Sequence, residues 1–244
     1  MVNKHSYGWK PQLKDSRDKK YSDSKYFKVL HLPSSVDLRN VDSPILDQGQ
    51  LGSCTGNGIA GCINFLIKQL VSRLFIYYNE RWIEHTIDQD AGANIRDGIK
   101  SVVKWGVPLE ALWPYVISMF TIKPSANAYK AAKLDQVIEY VALNSITEIK
   151  NCLAEGFPVV FGTTLYESFE SPDVASTGIV PEPQADESVI GGHCMKIVGY
   201  DDVKQRFIVA NSWNTSWGDL GYCYIKYSYI EANASDFWTI RKVV

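Results

Sequence analysis

The chain has 244 residues, and its 25 Lys and Arg residues nearly balance its 27 Asp and Glu residues. Because the net charge is close to zero, there is no general electrostatic attraction to nucleic acid or to an anionic membrane, and we expect neither as a partner. A hydrophobic content of 45% is too high for a disordered chain, and the length suffices for one large domain or two small lobes.

Residues 1–32 form a polar, locally basic arm that differs in composition from the remainder. Aromatic residues, among them Tyr7, Trp9 and Tyr21, are interspersed among its charges. Two interpretations stay open: a solvated arm pinned by its aromatic side chains, or a short pro-segment or flap that lies over a groove. The arm carries an excess of basic residues, namely Lys4, Lys10, Lys14, Arg17, Lys19, Lys20, Lys25 and Lys28 against Asp15, Asp18 and Asp23.

The first half of the remaining chain has helical periodicity. A glycine-punctuated loop ends at Ser53, a candidate N-cap, and a helical pattern follows over about Cys54 to Leu74. Apolar residues recur there at steps of three and four, which predicts one buried face. Further helices are predicted over about 74–85, 95–105, 127–133 and 145–155.

The second half has the patterns of buried strands instead. These strands are predicted over about 157–165, 194–200, 206–210, 222–226 and 237–240. Helices followed by strands predict an α+β fold, with a helical lobe over about 45–150 and a β-rich lobe over about 151–244. The cleft between these lobes is the expected place for a functional site.

Cys54 follows the loop and opens the predicted helix. Helix N-termini carry unpaired backbone N–H groups and the positive end of the helix dipole, and both favour the thiolate form of a cysteine. A buried, inert thiol is the alternative, because a free cysteine usually behaves as a small hydrophobic residue.

His193 and Asn211 favour the interpretation of Cys54 as a reactive thiolate over that of a buried, inert thiol. His193 stands after a double glycine at the start of a strand, where an imidazole faces a cleft, and Asn211 lies eighteen residues further on, after a second strand. A thiol beside an imidazole whose second nitrogen binds a side-chain acceptor is an activated nucleophile. The order of these three residues therefore indicates nucleophilic catalysis.

Three sequence blocks resemble those of the papain-like, or cathepsin-type, cysteine peptidases. They are Gln48 to Cys54 (QGQLGSC), Gly191 to His193 (GGH) and Asn211 to Gly218 (NSWNTSWG). The family carries a Gln six residues before the nucleophile, a His before a strand and an Asn-Ser-Trp block, in this order. The likeness covers about 32–244 and is greatest to bacterial and viral-type members with a short leader.

The resemblance implies a papain-like two-lobe fold and peptide hydrolysis through a thioester acyl-enzyme, with peptide or protein substrates. Cys54 would be the nucleophile, paired as a thiolate with a protonated His193, which then protonates the leaving amine. Asn211 would orient the imidazole, Gln48 would complete the oxyanion hole, and Trp213 would shield the hydrogen bond between His193 and Asn211. We expect a monomer without cofactor or metal, and the composition of the arm predicts that it restrains activity by lying near the cleft.

Several positions depart from the family pattern. Leu51 replaces the usual cysteine three residues before the nucleophile, so the family's disulfide is missing; with no apolar signal segment at the start, this predicts an intracellular, reducing setting, either cytoplasmic or virion-associated. The substrate-edge loop most resembles Ala91 to Asn94, in which the backbone of Gly92 would pair with an extended peptide and Ala93 would tighten the edge. A weak alignment places Asp236 near the specificity pocket, where it would favour basic side chains.

Two other functions stay open. A papain-like scaffold used as a binding or regulatory module would keep the fold without catalysis, but the four intact catalytic positions argue against it. An amide-forming acyltransferase would use the same thioester, and the sequence does not separate it from a hydrolase. The remaining cysteines are expected to be structural: Cys62, Cys152, Cys194 and Cys223.

Overall fold

The computed structural model describes residues 5–27 and 31–244. Met1–Lys4 and Lys28–Leu30, which belong to the predicted arm, lie outside the described residues. Within the described part of the chain, no helix is long and apolar enough to cross a membrane. The α-helices are α1 (Cys54–Ile67), α2 (Arg73–Ile83), α3 (Ile95–Trp105), α4 (Ala126–Ala132), α5 (Ile146–Ala154), α6 (Pro172–Thr177) and α7 (Tyr227–Asn233).

The strands pair into one antiparallel sheet. They are β1 (Ser35–Asp37), β2 (Val137–Leu143), β3 (Val159–Tyr166), β4 (Val189–Asp201), β5 (Arg206–Ala210), β6 (Tyr222–Lys226) and β7 (Ala234–Val243). Neighbours in the sheet follow the order β2-β7-β3-β4-β5-β6, and β1 pairs with β4. The predicted α+β class is confirmed, and each of the five predicted strands is present.

The long helical pattern after Ser53 is divided into two helices. Helix α1 ends at Ile67, because Lys68 adopts the left-handed conformation (φ 57°) as its C-cap. Ser53 does not cap α1 with its side chain, in contrast to the prediction. Its hydroxyl pairs with the hydroxyl of Tyr115 and accepts from Asn57 Nδ2 at 3.0 Å, so it is no longer available to the first turn.

Strand β2 was not among the predicted strands. It lies within the predicted helical lobe of about 45–150, yet it pairs with β7 and belongs to the sheet. Its sequence carries apolar residues at exposed positions such as Ile138, so the two-residue alternation of a half-buried strand is obscured. The division into lobes near residue 150 stays a prediction.

Helix α1 packs against α2 and α3 and also against β4 and β7 of the sheet. Gly58 permits the close approach to β4, since a Cβ at this position would lie 2.9 Å from the sulfur of Cys194. Cys194 directly follows His193 on β4. This packing therefore places the beginning of α1, where Cys54 lies, beside the strand that carries His193.

A buried ion pair fixes β4 to the segment before α1. The ammonium group of Lys196 contacts the carboxylate of Asp42, and both side chains are almost fully buried. The same ammonium group donates to Ser43 Oγ at 3.2 Å and to the carbonyl of Gly61 at 3.3 Å. Since every hydrogen of the ammonium group has an acceptor, the burial of this charge is compensated.

Candidate active site

Cys54 is the first residue of α1, and its side chain is fully buried. The backbone N–H groups of Cys194, Gly8 and Thr55 face its thiol. The amide of Cys194 belongs to the peptide bond that follows His193, so the thiol lies next to the histidine backbone. Burial is the largest influence and raises the pKa of Cys54 to about 12, an effect that the N–H groups only partly offset.

His193 lies on β4, and Asn211 directly follows β5. The Nε2 atom of His193 lies 2.8 Å from Oδ1 of Asn211. The indole of Trp213 stacks on the imidazole, with ring centroids 5.0 Å apart. The Nδ1 atom of His193 is buried and has no hydrogen-bond partner among the described residues, which leaves it available for proton exchange.

Burial disfavours the charged forms of both Cys54 and His193 in this arrangement. Burial lowers the pKa of His193 to about 4, although the hydrogen bond with Asn211 opposes this shift. Desolvation thus opposes the expected thiolate and imidazolium while the plug is bound, and the ion pair stays a prediction. The segment that covers the two groups is residues 5–12 of the arm, named the plug below.

Gln48 holds its side-chain amide between the two lobes. Its Oε1 accepts from Ser212 Oγ at 2.6 Å, which fixes the orientation of the amide. Its Nε2 donates to the carbonyl of Leu51 at 2.9 Å and to the carbonyl of Ser6 in the plug at 3.0 Å. The donor that would stabilise an oxyanion is therefore occupied by a carbonyl of the chain itself.

The plug forms strand-like hydrogen bonds with both sides of the cleft. The N–H of Ala93 donates to the carbonyl of Gly8 at 2.8 Å, and the N–H of Lys10 donates to the carbonyl of Ala93 at 3.0 Å. On the opposite side, the N–H of Trp9 donates to the carbonyl of Gly192 at 3.0 Å. Trp9 and Ala93 form an isolated parallel bridge, so the plug occupies the cleft as an added strand would.

The edge contact falls on Ala93 and not on Gly92, which corrects the prediction for the substrate-edge loop. The N–H of Gly92 donates to the hydroxyl of Tyr77 at 3.2 Å and is not available to an extended peptide. Gly92 instead has a φ of 64° and makes room for the plug, because a Cβ there would lie 2.0 Å from the carbonyl oxygen of Gly8.

The backbone of the plug contacts the backbone of the loop that precedes Cys54. A Cβ added at Gly8 would lie 1.7 Å from the carbonyl oxygen of Gly52, a distance that no side chain can tolerate. The indole of Trp9 likewise lies directly on Gly162, where a Cβ would approach it to 1.9 Å. The plug therefore fits only because glycines occupy both contacts.

The indole of Trp9 lies beside the acidic side chain of Asp236. The indole is 6% exposed, and its Nε1 donates to Oδ2 of Asp236 at 3.2 Å. The N–H of Gln12 donates to the same oxygen at 2.9 Å. Burial raises the pKa of Asp236, and the hydrogen bonds from Gln12 and Trp9 oppose that shift. Asp236, which the sequence places near the specificity pocket, thus contacts the indole of Trp9, and its part in specificity stays a prediction.

Two aromatic side chains at the beginning of the plug cover the catalytic histidine candidate. The imidazole of His5 stacks on Trp213, with centroids 3.7 Å apart and planes at 7°. The ring of Tyr7 meets His193 edge-on at 6.0 Å. The hydroxyl of Tyr7 donates to the carboxylate of Glu170, which also accepts from the backbone N–H of His5 at 3.2 Å. This cluster excludes water from the imidazole.

The remaining cysteines are buried free thiols, in agreement with the structural role predicted for them. Cys152 lies on α5, where its sulfur contacts the carbonyl of Phe157 at 3.5 Å and the guanidinium of Arg241 at 3.7 Å. Over residues 5–27 and 31–244, no group of three or more His, Cys, Asp or Glu residues is arranged to hold a metal ion.

The structure brings the predicted residues Cys54, His193, Asn211, Gln48 and Trp213 together, while their catalytic roles stay predictions. Sequence reasoning missed which part of the arm enters the cleft and the carboxylate of Glu170 that receives it. The only signal for these contacts was the cluster of aromatic residues at the beginning of the arm.

Comparisons with known proteins agree with this geometry. The model of a family described as papain family cysteine protease matches residues 32–237. An uncharacterized peptidase C1-like protein of Acanthamoeba polyphaga mimivirus is 43% identical over 234 residues, covering 88% of this chain and 73% of that protein. Xylellain, a cysteine protease from Xylella fastidiosa, has a crystal structure that matches with a TM-score of 0.91 at 36% identity, over 100% of both chains.

A more distant structure shares the fold. The ragweed pollen cysteine protease Amb a 11, solved in its proform, matches with a TM-score of 0.68 at 20% identity, over 91% of this chain and 69% of that one. The xylellain structure confirms the predicted two-lobe fold, and xylellain and the mimivirus protein confirm the predicted likeness to bacterial and viral members. The chain belongs to the papain family of cysteine proteases.

Proposed function

We propose that this cysteine peptidase uses Cys54 as its nucleophile and His193 as its general acid and base, and that the plug keeps the site inactive until it leaves the cleft. Asn211 orients the imidazole through Nε2, so Nδ1 is the nitrogen that exchanges a proton with the thiol. The substrate is a peptide or protein, and one chain suffices for the reaction because it supplies each proposed catalytic group, in agreement with the expected monomer.

The chemistry follows from these positions. The Cys54 sulfur attacks the scissile carbonyl while the Gln48 amide and the Cys54 backbone N–H stabilise the oxyanion. His193 donates its proton to the departing amine, which leaves a thioester on Cys54. A water molecule, deprotonated by His193, then hydrolyses the thioester and restores the thiol.

One observation carries the inhibitory part of the proposal: the plug occupies the groups that a substrate needs. It occupies the Gln48 amide through the carbonyl of Ser6 and the edge at Ala93 through the carbonyl of Gly8. It also brings the backbone N–H of Gly8 to the thiol of Cys54. A chain segment that occupies all of these groups keeps a substrate from reaching them.

The test compares variants in a background in which the plug is released by Gly8→Ala. We expect this protein to hydrolyse members of a fluorogenic peptide library and to react with an epoxide thiol trap at Cys54. Gln48→Ala in the same background should lower kcat by about 10²–10³ because one oxyanion donor is lost. If Cys54→Ala hydrolyses the same peptides as fast as its background, the assignment of the nucleophile is wrong.

A further inference from the structure

We propose that Tyr115 is a positioning residue for the oxyanion hole, because its hydroxyl joins the two ends of the loop that carries both proposed oxyanion donors. That loop, residues 48–54, is named the oxyanion loop below. The inference rests on the proposed function, in which the Gln48 amide and the Cys54 backbone N–H stabilise the oxyanion. Tyr115 acts through these two donors and not on the substrate itself.

Tyr115 lies in the irregular segment between α3 and α4. Its neighbours Pro114 and Val116 are exposed, whereas its own ring packs on the guanidinium of Arg73, whose Cζ lies 4.0 Å from the ring centroid. The backbone N–H of Tyr115 donates to Oε1 of Glu110 at 2.9 Å. The ring and the backbone therefore have partners of their own, and the contribution of the hydroxyl can be tested separately.

The hydroxyl of Tyr115 contacts both ends of the oxyanion loop. It donates to the backbone carbonyl of Gln48 at 2.8 Å, and it pairs with the hydroxyl of Ser53. A tyrosine hydroxyl carries one hydrogen, and since this one goes to Gln48, Ser53 is the donor in the second contact. Burial raises the pKa of Tyr115 to about 12, so the hydroxyl keeps its hydrogen at neutral pH.

The contacts at the Ser53 end fix the peptide bond that carries the Cys54 N–H. Nδ2 of Asn57 donates to the carbonyl of Ser53 at 2.9 Å and to its hydroxyl at 3.0 Å. Asn57 is oriented in turn by Arg73, whose Nη1 donates to Oδ1 at 3.1 Å. The Ser53 carbonyl and the Cys54 N–H belong to one planar trans peptide, so holding the carbonyl also sets the direction of the N–H.

At the other end, Gln48 is held from two sides. Its N–H donates to the carbonyl of Ser212 at 2.9 Å, and its Oε1 accepts from Ser212 Oγ. Tyr115 holds the carbonyl on the opposite side of the residue, next to Gly49, which has a φ of 58° and gives the chain little stiffness. Without the Tyr115 hydroxyl, we expect the oxyanion loop to rotate at Gly49 and the Gln48 amide to shift.

The first measurement compares Tyr115→Phe with Tyr129→Phe, both in the Gly8→Ala background. Tyr129 is the matched control, because its hydroxyl on α4 also donates to a buried acceptor, Oδ1 of Asn79 on α2 at 2.7 Å. With a fluorogenic peptide as substrate, Tyr115→Phe should lower kcat about tenfold at an unchanged KM, because small displacements of a catalytic donor cost rate. Tyr129→Phe should change neither constant. Equal kcat values for the two variants would overturn the proposal.

A second readout separates the oxyanion hole from the nucleophile. Iodoacetamide is attacked at a saturated carbon and loses iodide, so no oxyanion develops in its reaction with Cys54. We expect Tyr115→Phe to leave the alkylation rate of the Gly8→Ala background unchanged while kcat falls. If alkylation and kcat fall together, the hydroxyl acts on the thiol or on the fold, and the positioning role is wrong.

A double-mutant cycle asks whether the effect passes through Gln48. In a background with Gly8→Ala and Gln48→Ala, one of the two donors is already lost. Tyr115→Phe should then lower kcat by no more than about threefold, because residues that act through one another are not additive. A full tenfold loss in this background would show that Tyr115 does not act through Gln48.

Exchange of backbone amide hydrogens tests the contact without any substrate. In the Gly8→Ala background, Tyr115→Phe should speed exchange in a peptide that covers the oxyanion loop by about tenfold relative to Tyr129→Phe, since the loop opens more easily. Equal exchange would contradict the inference. If Gly8→Ala hydrolyses no member of the peptide library, the proposed function is wrong, and the exchange comparison still decides whether Tyr115 holds the loop.

Discussion

The plug and the segment of residues 18–27, named the anchor, belong to one arm, yet they are held by different forces. The plug is bound through main-chain hydrogen bonds to Ala93 and Gly192 and through side chains that cover the catalytic groups. The anchor is bound by burial of Tyr21 among apolar residues of the β-rich lobe. The first kind of contact is lost when the plug dissociates, whereas the second contributes to the stability of the folded core. The difference teaches that removing the whole arm is not the same as opening the site.

The comparison also explains why the plug has a glycine at position 8. The plug approaches the body of the protein backbone to backbone at Gly8, where a single methyl group has no room. At none of the described glycines would an added Cβ have an anchor residue among its nearest contacts. A small substitution can therefore displace the plug while the anchor and the core stay intact.

The largest effect on stability is expected from Tyr21→Ala in the anchor. Removing a fully buried aromatic ring should lower the free energy of unfolding by about 3–5 kcal/mol. Labelling of Cys54 by the epoxide trap under native conditions should stay as slow as in the parent, because the plug is untouched. Chemical denaturation and trap kinetics measure the two quantities. Tyr21→Phe, which loses only the hydrogen bond to Glu155, should cost about 1 kcal/mol. A rapid rise in native-state labelling would show that the two segments are not separate.

The opposite pattern is expected from Gly8→Ala in the plug. Its Cβ would clash with the carbonyl of Gly52, so the plug should leave and the labelling rate of Cys54 should rise about 10–100-fold, equivalent to about 1.4–2.7 kcal/mol. The midpoint of denaturation should move little. Leu13→Ala is the matched control, because this side chain is in the same arm but exposed, and it should change neither quantity. Equal labelling of Gly8→Ala and parent would contradict the account.

A smaller effect is expected from acid. Burial would raise the pKa of Glu170, but hydrogen bonds from His5 and Tyr7 of the plug outweigh it and lower that pKa below its ordinary value of 4.5. Since the plug favours ionised Glu170, its binding is complete above pH 4.5 and weakens as the pH falls through the lowered pKa. The labelling rate of the parent, divided by that of Gly8→Ala at the same pH, should therefore rise in acid by about five- to tenfold.

Glu170→Gln sharpens this prediction. The variant has no carboxylate to protonate, so the labelling ratio should lose its step in acid and should already be raised at neutral pH. A step that persists in Glu170→Gln would assign the pH dependence to another group and leave Glu170 without a part in plug binding.

The sequence predicted which residues form the candidate site better than it predicted their contacts with the plug and their charge states. Cys54, His193 and Asn211 were identified because the motif itself carries the chemistry, although His193 lies within β4 and not at the start of a strand as predicted. The contact of Ser6 with Gln48 joins residues far apart in the chain, and no local pattern specifies such a pairing. The charge states of Cys54 and His193 have no local signal either, since they depend on burial by a segment whose path is set by tertiary packing.

The fold shows the same limit. The core strands of the second half have clear apolar patterns and were predicted, whereas β2 was missed because apolar residues stand on both of its faces. Ser53 has the residue type of a helix cap, but its hydroxyl pairs with Tyr115 from another part of the structure and with Asn57 of α1 itself. A tertiary partner thus contributes to the loss of the predicted cap at Ser53, whereas β2 was missed because of its apolar pattern.

The most direct test of the central claim is the pH dependence of alkylation of Cys54 by iodoacetamide, with the modified residue identified by peptide mass. In the parent, burial holds the pKa of Cys54 at about 12, so alkylation should be very slow at neutral pH and should rise only in strong base. In Gly8→Ala, water and His193 both reach the thiol, and alkylation should be fast at neutral pH with a midpoint several units lower. Superimposable profiles for the two proteins would contradict the claim that the plug keeps a competent thiol and imidazole neutral.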